Sequence, residues 1–379
     1  MSAFIHLIRT ASPSNRYAQE MVGEAMAKQL DPTSKGARLA RKIYRSSGID
    51  FRHSVIGDLN QFVGSGSPEV DDAKNSGGLF FDAQQSFLSP STGVRNAVYS
   101  DHARPLFSKV AASLIDDCPT FSREDVTHVI TVSCTGFFAP GPDYYVVKDL
   151  GLDTSTKRFH IGFMGCYAAF PALKMAKAFC AEDPNAVVLV VCVELCSLHL
   201  EPSEDIDDII ATSVFADGAS GAIVSAKPGP SGAKTLRLDF LESVVAPDSE
   251  GDMAWTIGDK GFDMVLSTYV PRILEAHVDE IVDDLLQKGG TKRSEISHWA
   301  IHPGGRAILD KVESGLSLPA RALDPSRKVL REHGNMSSAT IFFVLKQFQD
   351  AENMDSGAKM IAMAFGPGLT VESALMTVV

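Results

Sequence analysis

No stretch of this chain stays apolar long enough to cross a membrane. The longest wholly apolar run, Ala186 to Val193, falls far short of the ~20 residues a spanning helix needs and suits a buried strand. The N-terminal region also lacks the continuous apolar segment of a secretory leader, because Arg9, Ser12, Asn15 and Arg16 interrupt it. A cytoplasmic protein without membrane insertion is therefore expected. Positive charge is scarce: 35 Lys and Arg against 47 Asp and Glu leave a formal net charge of -12. Nucleic acid needs broad positive potential, so the expected partner is a small molecule. Cysteine is sparse as well. Cys118, Cys134, Cys166, Cys180, Cys192 and Cys196 are too few in 379 residues for a disulfide framework, and a reducing compartment suits them. Cys192 and Cys196, four apart, are expected to share one face of a strand. They lack a second pair at usable spacing, so core thiols are favoured over a zinc half-site and no metal is expected.

What the chain does have is material for one large core or two fused smaller ones. Residues 18 to 47 read as helical, and there Arg38, Arg41, Lys42 and Arg45 recur at the spacing of one helix face. This cationic stripe on an acidic protein is either a solvated face or a dock for a phosphate-bearing ligand, with Lys35 and Arg52 nearby. From about 126 the texture changes to short β-branched runs, Val126 to Val132, Ala186 to Val193 and Ala222 to Ser225, separated by helical patterns or turns. Such alternation predicts βαβ units and a doubly covered, largely parallel sheet. Lys227 to Lys234 concentrates turn formers and is the natural joint between halves. Beyond it the spacing predicts a strand over Thr235 to Phe240, a helix over Pro271 to Gln287, a strand over Ser297 to Ile301 and a helix over Gly305 to Glu313. A helix over Ser337 to Asp350 and strands over Lys359 to Phe365 and Thr370 to Val379 follow.

Cys166 is the most telling residue. In Gly162-Phe-Met-Gly-Cys-Tyr-Ala-Ala-Phe170 it is expected at the first turn of a buried helix, where unpaired N–H groups and aligned peptide dipoles stabilise a thiolate. Two later segments supply partners: His302, ending an apolar strand in Trp299-Ala-Ile-His-Pro-Gly-Gly, and Asn335, ahead of an apolar helix in His333-Gly-Asn-Met-Ser-Ser. Each has a plainer role available: an inert core cysteine, a satisfied histidine at a strand end, an N-capping asparagine. Their joint appearance, each at the mouth of a strand or helix, favours a catalytic set. The order Cys, His, Asn and its spacing also fit papain-like proteases. The cysteine's surroundings and its mid-chain position do not.

Six motifs in order carry a family resemblance: Gly165-Cys-Tyr-Ala-Ala169, Phe215-Ala-Asp-Gly218 with Ala-Ser-Gly-Ala after it, Ala246-Pro-Asp-Ser-Glu-Gly251, Ile301-His-Pro-Gly-Gly305, Gly334-Asn-Met-Ser-Ser-Ala339 and Phe365-Gly-Pro-Gly368. Through them the chain resembles the type III polyketide synthases, chalcone synthase-like members of the thiolase-fold condensing enzymes. The resemblance implies an α/β subunit with a five-layered αβαβα fold made of two duplicated halves. Residues 1–228 would carry the nucleophilic Cys and 229–379 the His and Asn. It implies a homodimer that uses acyl-CoA and malonyl-CoA, with no bound cofactor. Cys166 would hold the starter acyl group, while His302 and Asn335 would stabilise the enolate left when malonyl-CoA loses CO2. Phe215 and Phe262 are similar to the family's paired gatekeepers, and Lys42, Arg45 and Arg52 would bind the CoA phosphates.

Cavity positions of the family fall on Cys134, Thr135, Cys196, His199, Trp255 and Ser337. Several depart from the chalcone-forming pattern, so a pyrone, resorcinol or phloroglucinol-type product is expected rather than a flavonoid. Two alternatives remain: a β-ketoacyl-acyl carrier protein synthase III-like enzyme making one condensation, and a noncatalytic acyl-CoA-binding scaffold.

Overall fold

A computed structural model describes residues 2–62, 78–230, 232–246, 249–352 and 354–379. Ser231 of the predicted joint, and Pro247 and Asp248 of the third motif, lie outside the described residues. Nine strands form one mixed sheet in the order Ile296–Ile301, Lys359–Gly366, Thr370–Val378, Leu236–Val245, Phe4–Ala11, Asp217–Ser225, Val187–Leu195, His128–Ser133 and Lys157–Gly162. Leu236–Val245 and Phe4–Ala11 touch through only two residue pairs, Phe4 with Arg237 and Ile5 with Leu236. At this seam the sheet divides into two halves.

Strand alternation shows how the halves stack. Val188, Val190 and Cys192 from one half share a core with Met360, Ala362 and Met376 from the other, and the helices Ala169–Glu182 and Thr340–Asp350 fill the space between them. Val187, Leu189, Val191 and Val193 face the opposite way, onto the helix Thr92–Asp116. Ile361, Met363 and Leu375 turn outward onto the helix Val270–Lys288. A strand buried on both faces has no polar side to show, which is why Val187–Leu195 reads as a continuous apolar run. The result is the five-layered αβαβα arrangement.

Three expectations change. The sheet is mixed and not largely parallel: Ile296–Ile301 pairs parallel with Lys359–Gly366, and His128–Ser133 with Lys157–Gly162 and Val187–Leu195, while the other neighbours run antiparallel. The helical region from 18 to 47 is two helices, Gln19–Ala27 and Lys35–Ser46. Pro32 lies between them, and the Ser34 hydroxyl caps the second by accepting from the Ala37 N–H. Cys192 and Cys196 do not share a strand face. The strand ends at Leu195 and Cys196 opens a 3-10 turn, so Cys192 packs in the central layer and Cys196 on the active-site side.

Candidate active site

Cys166 sits in the turn leading into helix Ala169–Glu182, three residues before the helix proper. Gly165 ahead of it adopts φ +86°, and a Cβ there would meet Pro367 Cδ at 2.5 Å. A Cβ on Gly366 would meet Tyr167 at 2.5 Å in return. The two glycines let the nucleophile turn and the Phe365-Gly-Pro-Gly368 loop clasp each other, one from each half of the chain.

His302 follows strand Ile296–Ile301, and its backbone N–H is held by Met363 O at 2.8 Å. Its ring is buried, and neither nitrogen has a hydrogen-bond partner among the described residues. Asn335 is bridged to Phe215 through the backbone: its N–H donates to Val214 O and its O accepts from Ala216 N–H, each at 2.8 Å. The amide oxygen accepts from Ser337 N–H at 2.9 Å and from the Thr340 hydroxyl at 3.4 Å. That leaves the Nδ2 side to face Gly304 O at 3.2 Å and Cys166 Sγ at 4.0 Å. Asn335 is not the helix N-cap, a position taken by Met336 for the 3-10 turn and Ala339 for the helix; its oxygen closes a local turn, which leaves the nitrogen end for the cavity.

Cys166, His302 and Asn335 line a single cavity with about 600 Å³ of atom-free space, its solvent-open part included. Cys134, Thr135, Cys196, Phe215, Trp255 and Ser337 line it too, as expected from the sequence. His199 and Phe262 do not: they stand behind Trp255 and face an adjoining compartment. Sequence reasoning missed Met253, Met264 and Leu266. They lie on the hairpin Met253–Gly258 and Gly261–Leu266, where Trp255 opposes Met264 and Met253 opposes Leu266. The period-two pattern Met253, Trp255 then Phe262, Met264, Leu266 was the available signal. Glu194 was missed as well. Buried beneath the cavity, it accepts from Cys134 N–H at 3.0 Å, from the Thr135 hydroxyl at 2.9 Å and from the Ser338 hydroxyl.

Burial acts on both ionisable members of the set. Burial pushes the Cys166 thiol up to about 11, against smaller lowering contributions from Ser337 and Asn335, and burial pulls His302 down to about 3. Burial thus opposes charge on each group taken singly, so a thiolate at Cys166 depends on a positive partner beside it. A neutral ring is the form of histidine able to accept the thiol proton during attack.

The cationic stripe is real but divided. Lys42 is exposed, with no ion pair among the described residues, whereas Arg45 reaches Glu20 at 2.7 Å and Arg41 reaches Glu24 at 2.8 Å. Arg52 leaves the set of phosphate ligands. It is fully buried, and its guanidinium donates to Gln19 Oε1 (2.8 Å), Thr212 O (2.9 Å), Phe215 O (2.8 Å) and Ser213 O (2.5 Å). Arg306 is a better candidate: exposed, it packs beside Gly48 at the end of the stripe's helix, while its neighbours Gly304 and Ile308 line the cavity.

Comparison with known proteins agrees with this geometry. Residues 85–228 match the N-terminal domain of chalcone and stilbene synthases, and residues 238–379 match the C-terminal domain. The chain is 33% identical over 291 residues to the alpha-pyrone synthesis polyketide synthase-like Pks18 of Mycobacterium tuberculosis, covering 75% of this chain and 73% of that protein. Among solved structures it is similar to PKS-I from the brown alga Ectocarpus siliculosus, with TM-score 0.88, 28% identity, and coverage of 100% of this chain and 98% of that one. It is also similar to 1,3,6,8-tetrahydroxynaphthalene synthase from Streptomyces coelicolor, with TM-score 0.85, 25% identity and 99% coverage of both. Among the described residues no helix is long and apolar enough to cross a membrane.

Proposed function

The chain belongs to the chalcone and stilbene synthase family, the type III polyketide synthases, and on that premise we propose how its own residues perform the reaction. The observation that carries the proposal is the placement of the Asn335 amide nitrogen 4.0 Å from Cys166 Sγ, in the cavity that the unpartnered His302 ring also faces. Neutral His302 takes the Cys166 proton as sulfur attacks an acyl-CoA thioester. The acyl group moves to Cys166, and the proton leaves with the CoA thiol. Malonyl-CoA then loses CO2, and its C–C bonding pair becomes an enolate whose oxygen accepts from His302 and Asn335 N–H donors. The enolate carbon attacks the acyl-Cys166 carbonyl, the C–S bond breaks with its pair on sulfur, a β-ketoacyl-CoA two carbons longer results, and the Cys166 thiolate takes a proton from solvent before the next round. Repeating the cycle and closing a ring gives a pyrone, resorcinol or phloroglucinol-type product.

Lys42, Arg45 and Arg306 would meet the CoA phosphates: all three are exposed, and Arg306, beside Gly48 after the stripe's helix, neighbours in sequence the cavity-lining Gly304 and Ile308. No organic cofactor or metal takes part in this scheme. The working unit would be a cytoplasmic homodimer. The test is incubation with malonyl-CoA and an acyl-CoA starter, followed by mass spectrometry. Wild type should release CO2 and form extended products, while Cys166→Ala should form none. Extended products from Cys166→Ala would remove the assigned nucleophile.

A further inference from the structure

The hairpin Met253–Gly258 and Gly261–Leu266 forms a two-stranded sheet of its own, paired with no strand of the large sheet among the described residues. Met253, Trp255, Met264 and Leu266 on one face close the reaction cavity, while Thr256, Asp263 and Val265 on the other are exposed. A lone pair of strands is marginally stable in water, so what seats this one on the cavity is its attachment to the rest of the chain. Two bonds hold its walls: Trp255 Nε1 donates to Cys134 O at 2.9 Å, and Phe262 N–H to His199 Nδ1 at 3.0 Å. The tip, Gly258-Asp259-Lys260-Gly261, is held from another element by Thr92.

Thr92 opens helix Thr92–Asp116, just after the capping Ser91. The first N–H groups of a helix have no partner within it, and that of Thr92 donates to Asp259 O in the hairpin at 2.9 Å. Its hydroxyl oxygen accepts from Gly261 N–H at 2.9 Å and its proton goes to Gly258 O, with Gly261 O a second acceptor in reach at 3.3 Å. Gly258 and Gly261 face each other across the turn, so one hydroxyl joins the two strands at their last pair. The close approach requires glycine: Gly261 has φ +122°, and a Cβ there would stand 3.4 Å from the Arg95 side chain. Asp259 and Lys260 between them are exposed.

We propose that Thr92 is a positioning residue that latches this hairpin over the cavity, and that the latch keeps water from the enolate until condensation. The proposal rests on the synthase reading above and adds control over the fate of its intermediate. Once malonyl-CoA has lost CO2, the enolate carbon has two fates. It attacks the acyl-Cys166 carbonyl and forms a C–C bond, or it takes a proton from water, which gives acetyl-CoA and leaves hydroxide. Excluding water favours the first. Thr92 lies outside the cavity lining and acts through the hairpin.

The experiment supplies isotope-labelled malonyl-CoA with acetyl-, hexanoyl- or lauroyl-CoA in excess, taking the starter that wild type extends fastest. Mass spectrometry then gives labelled acetyl-CoA released per extended product. Thr92→Val removes the hydroxyl at nearly constant shape and should raise this ratio about tenfold. The rate of CO2 release should hold, because His302 and Asn335, the donors to the enolate, are not on the hairpin. Loss of folded enzyme lowers both products together, so the ratio reads the hairpin and not stability. Thr92→Ser, which keeps the hydroxyl, should restore the wild-type ratio. Trypsin gives a second reading: native-state cleavage after the exposed Lys260 should be about tenfold faster in Thr92→Val. If the valine variant does not fold, Gly261→Ala, which breaks the same contact from the hairpin side, is read in its place with the same expected direction. An unchanged ratio overturns the latch whatever the cleavage rate, and so does an equal rise in Thr92→Ser. Wild type that extends a starter while the ratio stays fixed removes the latch alone. Wild type that neither releases CO2 nor extends any starter overturns the synthase reading and the latch together.

Discussion

Two buried arginines hold Phe215 and Phe262 in place, and they do so by different means. Arg52 spans the end of helix Ile206–Val214, bonding the carbonyls of Thr212, Ser213 and Phe215, so Phe215 hangs from a guanidinium with no carboxylate in direct contact among the described residues. The carbonyl end of that helix supplies the negative potential. Arg95 instead holds Leu198 O at 2.6 Å and Leu200 O at 2.9 Å, on either side of His199, and His199 stacks on Phe262 at 4.1 Å. The 3-10 turn Cys196–His199 is too short for a useful dipole, and Arg95 is paired with Glu201 at 2.6 Å. A buried cation can thus be satisfied by a helix end or by a half-exposed acid. Only the second leaves its partner in reach of water.

The comparison breaks first at Arg52. Arg52→Met removes four hydrogen bonds, only one of whose acceptors, Ser213 O, keeps a bond among the described residues, from Gln19 Nε2, and should cost about 3–5 kcal/mol in denaturant-induced unfolding, with little recovered by Arg52→Lys, whose point charge cannot span the same carbonyls. Arg95→Met should cost less, about 2–3 kcal/mol, because Glu201 can turn to solvent. Equal costs would show that the helix end contributes nothing to holding Arg52. Acid sharpens the contrast further. His199 is pulled down by burial to about 3, so its neutral form stabilises the fold fully above the ordinary value of 6.5, and that contribution is lost as pH falls from there towards 3. His199→Gln should therefore flatten the fall of the unfolding free energy between neutral pH and about pH 5, by up to ~1.4 kcal/mol per pH unit. His6, His302 and His333 are lowered too, so part of the slope should remain. The smallest effect belongs to the stacked ring: Phe262→Leu should lose about 0.5–1.5 kcal/mol beyond its area, read from a double-mutant cycle with His199→Gln.

Arg52 also shows where sequence reading stops. In the chain it is one more cation near a basic stripe. That it is buried follows from the short pairing of Phe51–His53 with Arg16–Ala18 and from a helix end more than 150 residues away, neither of which has a local signature. Cys166, His302 and Asn335 were legible because glycines or strand ends mark each of them locally. Strand Phe4–Ala11 went unread, since its partners lie at Asp217–Ser225 and Leu236–Val245. Lys157–Gly162 was also missed: an edge strand with exposed Lys157 and Arg158 carries too little apolar alternation to announce itself. Helix Thr92–Asp116 was obscured by Pro105 and by the buried Arg95 on its inner face.

The seam of the sheet bears on how the chain is assembled. Phe4 pairs with Ser225 and Ala11 with Ala219, so a strand near the beginning of the polypeptide waits for more than two hundred further residues before its neighbour exists. Contacts that distant in sequence make folding slow and leave an apolar edge open meanwhile. During synthesis Phe4–Ala11 accordingly stays without this neighbour until Asp217–Ser225 has been made.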